Sequence, residues 1–310
     1  MLCPVLLTGE RKKNMRKMPE IVYYYCNPNT FESIIQNRKM WLCDMMKTND
    51  YREIDYVLDD ITKATKADCF LKIMSKEDAD LTEKAVVKRI QFYRRYCHWL
   101  AICFSSEKDD LGQWRAYGDD GGGFAIGFDT SYLRSITSHQ CFHFEDIKYG
   151  EKAKDNFIKD CVSDLFEKIR TCLNRNSIRS QTGLNNRCLD IIKNWGNHLT
   201  PQICFYKSEA FSNEKEYRLC YTRTILLDDC ATIMDPNAAP DSMLHHLAIS
   251  MKNNEVNLRL EKEFPHEAIR EIVMGPKCNI STYEMQLLLA INGFNFKNIA
   301  ITQSKVTYRR

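Results

Sequence analysis

With 310 residues, the chain is long enough for one large core or two modest ones, and 44% hydrophobic with 27% charged residues is the balance of an ordinary soluble globular protein. A formal net charge of +3 is too small to argue for nucleic acid by itself, although it does not exclude it. No apolar run approaches the ~20 residues of a membrane span. Fourteen cysteines, spread over predicted strands and helices with no C-x-x-C pair, read as reduced thiols of a cytoplasmic protein and not as a disulfide scaffold or a zinc site.

Residues 1–20 put a short apolar patch before a basic cluster, the reverse of a secretory signal, and read as a flexible extension in which Met15 or Met18 is an alternative start. One α+β domain is expected over 21–310. The β-branched and aromatic Ile21–Cys26 is a strand. Asn29 with Glu32 offers a capping box for a short helix through Gln36, and Met40–Cys43 is a second strand. Ile54, Val57, Leu58 and Ile61 fall at helical spacing, and Lys76–Tyr96 is a charged helix. His98–Phe104 is a buried strand, Leu111–Tyr117 a helical turn or two, and Asp119–Gly123 a hairpin-like turn into the strand Phe124–Phe128.

A helical insertion is expected at about 152–206, with Phe157, Val162, Leu165, Phe166, Ile169 and Leu173 marking its apolar stripe. Strands return at Glu216–Thr222, Glu255–Glu261 and Arg270–Met274. A capping box of Ser281 and Glu284 opens a helix that Gly293 can end, and Asn298–Thr302 is a last strand. Strands and helices mix without regular alternation, which favours α+β over a doubly wound sheet.

The chemistry concentrates in two stretches, 97–129 and 211–221. On a strand, Glu214 and Glu216 would share one face and repel unless a cation or donor separates them. At the mouth of a sheet, such a pair can act as base and orienting acceptor. On an edge it is a solvated charge ladder. Lys215 and Arg218 are adjacent in sequence, and Arg218 and Arg115 are the candidates to answer the pair. Gly121–Gly123 could bring backbone amides to a phosphate but lacks the spacing of either glycine-rich nucleotide motif. Trp114 and Tyr117, three apart, could stack a planar ring or serve the core. No metal is predicted: His245 and His246 are adjacent, and Cys141 with His143 has no third ligand nearby. No serine-hydrolase elbow occurs.

The strings VYYYCNPNTFESIIQNRKMWLCD, CFSS, LGQWRAYGDDGGGFAIGFD, NEKEYRL, IREIVMGPK and ITQSKVTYRR together resemble the bacterial proteins grouped as domain of unknown function 2971. Thr48-Asn49-Asp50-Tyr51-Arg52-Glu53 departs from that family's Asn-Asp-Pro-Phe-Glu, and an Asx turn is expected at Asn49 and Asp50. A second, shorter resemblance is to ADP-ribosyltransferases. The opening strand, helix and strand resemble their first motif, with Tyr24 where a His or Arg touches NAD. Ser105 in CFSS resembles their middle serine motif, and Glu214-Lys215-Glu216 resembles their E-x-E.

That resemblance implies a split mixed sheet with NAD as substrate, and a role in bacterial defence or as a toxin by association. Glu216 would support the oxocarbenium-like transition state and Glu214 the acceptor. Tyr24, Ser105, Trp114 and Tyr117 would line the nucleotide site. The macromolecular acceptor is unknown. The alternative is a non-catalytic nucleotide-binding or protein-interaction sensor.

Overall fold

The computed structural model describes residues 18–47, 53–139, 141–175, 186–225, 246–252 and 254–308. The expected turn at Asn49 and Asp50 therefore lies outside the described residues. The first strand, β1 (Ile21–Cys26), leads into α1 (Pro28–Asn37) and β2 (Lys39–Asp44). The cap of α1 is Asn27 and not Asn29: its side chain accepts from the Thr30 amide at 2.8 Å, and Pro28 starts the helix. Proline needs no amide partner there, and its φ is already helical. The helices α2 (Glu53–Ala64) and α3 (Lys76–Tyr96) follow, then β3 (Cys97–Ser105), α4 (Leu111–Ala116), β4 (Phe124–Asp129), α5 (Thr130–Ile136), β5 (Phe142–Asp146) and β6 (Lys148–Tyr149).

The expected insertion is the helix pair α6 (Glu151–Arg175) and α7 (Asn186–Leu199). After it come β7 (Tyr206–Lys207), β8 (Glu216–Thr224), β9 (Leu247–Lys252), β10 (Glu255–Glu263), β11 (Ile269–Met274), α8 (Thr282–Ile291) and β12 (Ala300–Gln303). The fold is α+β, with a mixed, largely antiparallel main sheet ordered β12-β11-β4-β1-β3-β2-β10-β9, and only β11 and β12 run parallel in it. Among the described residues no helix is long and apolar enough to cross a membrane, and no disulfide joins the described cysteines.

The sheet divides at β3. One edge of β3 pairs with β8 along its whole length, from Cys97 opposite Thr224 to Ser105 opposite Glu216. The other edge is shared: β1 takes its end, with Tyr23 opposite Ser105, and β2 takes an earlier part, with Cys43 opposite Ala101 and Asp44 opposite Leu100. Ile102–Phe104 lie in the fork between them. Strand alternation then sorts side chains onto two faces. Val22, Leu42, Leu100, Ile102, Phe104 and Leu219 pack with α1, α5 and α8, whereas Trp99, Ala101 and Cys220 pack under α2, α3, α6 and α7. The helical insertion thus covers one face, as its apolar stripe implies.

Two local predictions end differently. The glycine-rich segment is a helical turn against the 275–277 loop and not a hairpin: the amides of Gly121, Gly122 and Gly123 donate to the carbonyls of Gly118, Asp119 and Gly118. With those donors spent, the run has no amides left to cradle a phosphate. A Cβ on Gly123 would meet the Cys26 carbonyl at 2.1 Å, so glycine is required by close approach.

The capping box at α8 forms as expected. The Ser281 hydroxyl accepts from the Glu284 amide at 3.2 Å, and the Glu284 carboxylate accepts from the Ser281 amide at 2.8 Å. Ser281→Ala is expected to lower the unfolding free energy by about 1 kcal/mol, read from the midpoint of a urea titration.

Candidate functional site

The two glutamates converge, but not as a strand ladder. Glu214 ends a 3-10 turn (Glu209–Glu214), Lys215 reverses the chain in the left-handed region at φ 45°, and Glu216 opens β8. Both carboxylates meet at Lys207 of β7, whose ammonium donates to Glu214 Oε2 at 2.7 Å and to Glu216 Oε2 at 3.1 Å. Arg218, the next residue on the same face of β8, donates from Nε to Glu216 Oε1 at 2.5 Å and from a terminal nitrogen to Glu216 Oε2 at 3.1 Å. It also reaches Glu53 Oε1 at 2.8 Å and the Cys204 carbonyl at 2.7 Å. At 2% and 5% exposure, Arg218 and Glu216 form a buried ion pair, and such charges persist only when answered.

The electrostatics follow from this arrangement. Burial pushes the Glu216 carboxyl up, but Arg218 and Lys207 overcome it and hold the pKa at about 2. Burial works against the charge on Lys207 as well, and Glu216 and Glu53 together keep its pKa raised. Glu53 goes the other way: its burial outweighs the attraction of Arg218 and raises its pKa. Tyr117 donates its hydroxyl to Glu214 Oε1 at 2.9 Å, and burial beside Glu214 raises the phenol pKa, so it stays a donor. The Tyr149 hydroxyl accepts from the Glu216 amide at 2.9 Å and pins the start of β8.

Cys103, which faces Arg218 across β3 and β8, stands in the fork of the sheet. Its side chain is exposed, yet burial and then Glu216 raise the thiol pKa well above its usual value.

The predicted site residues fall into three groups. Glu214, Glu216 and Tyr117 come together as described. Tyr24 is half-buried and lies edge-on to Phe104, 6.3 Å between centroids, on the face opposite Ser105. Burial raises its phenol pKa, with the thiols of Cys26, Cys43 and Cys103 adding to the effect, which places it at the fork. Ser105 lies directly opposite Glu216, and Trp114 is a correction. The buried Ser105 hydroxyl donates to the Glu214 carbonyl at 2.8 Å and accepts from the Glu107 amide at 3.1 Å, so it fastens the turn that carries Glu214.

Trp114 is 0% exposed, packed edge-on to Tyr25 at 4.7 Å among Tyr23, Ala125 and Val273, and its indole donates to Asp109 at 2.8 Å. A ring with no accessible face cannot stack a ligand. Arg115 stands over the Tyr308 ring, 6.0 Å from its centroid, and does not answer the glutamates.

Sequence reading missed Lys207 and Glu53. Each is distant from the E-x-E stretch in the chain or lies on another element, and a lone Lys or a first-turn Glu of a helix carries no signal of its own. Among the described residues, no three His, Cys, Asp or Glu side chains are placed to hold a metal. A surface concavity of about 980 Å³ lies on the helical layer between α3 and α7, away from this cluster.

Residues 113–219 match the family described as "Protein of unknown function (DUF2971)", which bears out that resemblance over the span carrying Tyr117, Lys207, Glu214, Glu216 and Arg218. No curated protein and no solved structure matches the chain.

Proposed function

We propose that the chain binds NAD at the fork of its sheet and transfers or hydrolyses the ADP-ribosyl group, with Glu216 and Glu214 as the working carboxylates. The observation that carries the reading is a carboxylate kept ionised at depth, with a pKa of about 2, one step along the β3–β8 ladder from the exposed Cys103 at the fork. Glu53, Glu214 and Glu216 face Lys207 and Arg218, so with all three carboxylates ionised the cluster carries one net negative charge. That sign suits a pyridinium ring and the positive charge that develops as it leaves.

In the reaction the bond between the ribose anomeric carbon and the nicotinamide nitrogen breaks, and its electron pair leaves with neutral nicotinamide. The oxocarbenium-like carbon is then attacked by an acceptor lone pair, and the acceptor's proton passes to Glu214, the less buried of the two.

One observation favours a second reading. Both oxygens of Glu216 are already engaged by Arg218 and Lys207, which suits a structural anchor in a nucleotide sensor without catalysis. Incubation of the purified protein with NAD, with and without cell extract, separates the two. Nicotinamide release above the protein-free rate is the expected result. Binding by calorimetry without release in either condition would favour the sensor, and neither binding nor release would remove NAD from the account.

A further inference from the structure

The fork has a wall that neither resemblance assigns. β2 pairs with β3 through Cys43 opposite Ala101, so two residues further along each strand Trp41 and Cys103 follow on the same face, at the point where the strands part. Trp41 is 44% exposed, whereas Trp99, Trp114 and Trp195 are between 0% and 3%. A tryptophan left open beside an exposed thiol forgoes a large apolar burial. Its ring is also held in place: the Arg259 guanidinium lies 4.0 Å from its centroid, and Arg259 is anchored to Glu261 Oε1 at 3.1 Å. Glu261 stands opposite Trp41 in the β2–β10 ladder and also accepts from Lys39 at 3.3 Å. A cation fixed on one side of an indole orders it while leaving the other side for a planar partner.

We propose that Trp41, oriented by Arg259, is the stacking wall for a planar ring of the dinucleotide, the role that the buried Trp114 cannot take. This rests on the NAD reading above. The wall belongs to the half of the sheet carrying β2 and β10, while Glu216 opens β8 and Glu214 ends the turn before it. The ligand therefore crosses β3 over Cys103, with one ring on Trp41 and its ribose toward Glu216.

The test is titration with NAD, AMP and nicotinamide mononucleotide, followed by calorimetry and tryptophan fluorescence in wild type, Trp41→Ala and Trp41→Phe. Because the other tryptophans are buried, the ligand-induced change in emission comes from Trp41. NAD affinity should fall on the order of 10-fold in Trp41→Ala and return largely in Trp41→Phe. The emission change should vanish in both variants, with thermal melting unchanged. The mononucleotide whose affinity falls identifies the stacked ring. Equal NAD affinity in wild type and Trp41→Ala overturns the stacking wall and leaves the NAD reading standing. Trp41-dependent binding without nicotinamide release keeps the wall and removes the transferase. A wild type that binds none of the probes overturns both.

Discussion

Arg218→Ala is expected to destabilise the protein by about 3–5 kcal/mol, the cost of removing one partner from a buried ion pair. Arg218 is 2% exposed and makes bonds in three directions, to Glu216, Glu53 and the Cys204 carbonyl. Its loss leaves Glu53 without its ion-pair partner and Glu216 with Lys207 alone. Arg218→Lys should recover little, because a point-like ammonium cannot reproduce a fork that reaches both carboxylates and the carbonyl at once. A urea titration would show the midpoint falling with an unchanged slope.

The same pair makes stability depend on pH. Glu216 titrates near 2 in the folded protein, below the ordinary carboxylate value of about 4.3. Between those values the unfolded chain binds more protons than the folded one. The contribution, on the order of 3 kcal/mol, is thus complete above about pH 4.5 and is lost as pH falls toward 2. In Arg218→Ala that slope should flatten. An acid limb unchanged by the substitution would show that Arg218 does not set the Glu216 carboxyl.

Periodicity and capping made most of the architecture legible. α3 occupies the charged segment Lys76–Tyr96 in which a helix was expected, and β1, β3 and β8 were readable from their apolar, β-branched runs. The misses have local causes. A proline following Asn27 moved the α1 cap, and the glycine run that looked like a hairpin turn instead packs between α4 and the 275–277 loop, a contact far away in sequence.

For the site, the E-x-E string located the carboxylates but not their answer. Lys207 lies on a two-residue strand and Glu53 on a helix far back in the chain, and only the tertiary fold brings them to Arg218. Two aromatics on or next to one short helix were equally readable as core or as site, and the structure divided them: Trp114 is sealed inside while Tyr117, 44% exposed, reaches Glu214. The tryptophan left open, Trp41, sits in a strand whose pattern gave no reason to single it out.

Glu216→Gln is expected to lower nicotinamide release by on the order of 100-fold or more, with NAD affinity nearly unchanged, because the lost charge matters most where positive charge develops. The substitution also places a neutral amide against Arg218 and Lys207. It should therefore lower stability as well, and turnover has to be compared at a temperature where circular dichroism shows both proteins folded.

Glu214→Gln is the discriminating partner. Its carboxylate is bound by Tyr117 and Lys207 and lies at the less buried end of the cluster. If it takes the acceptor's proton, its amide variant should lose transfer to an acceptor more than it loses hydrolysis of NAD, since water needs less help once the oxocarbenium has formed. Equal loss in both reactions would assign Glu214 to holding Lys207 in place. Turnover untouched by Glu216→Gln would reduce the buried pair to a clamp on the start of β8, and with it the transferase reading would fall to the sensor.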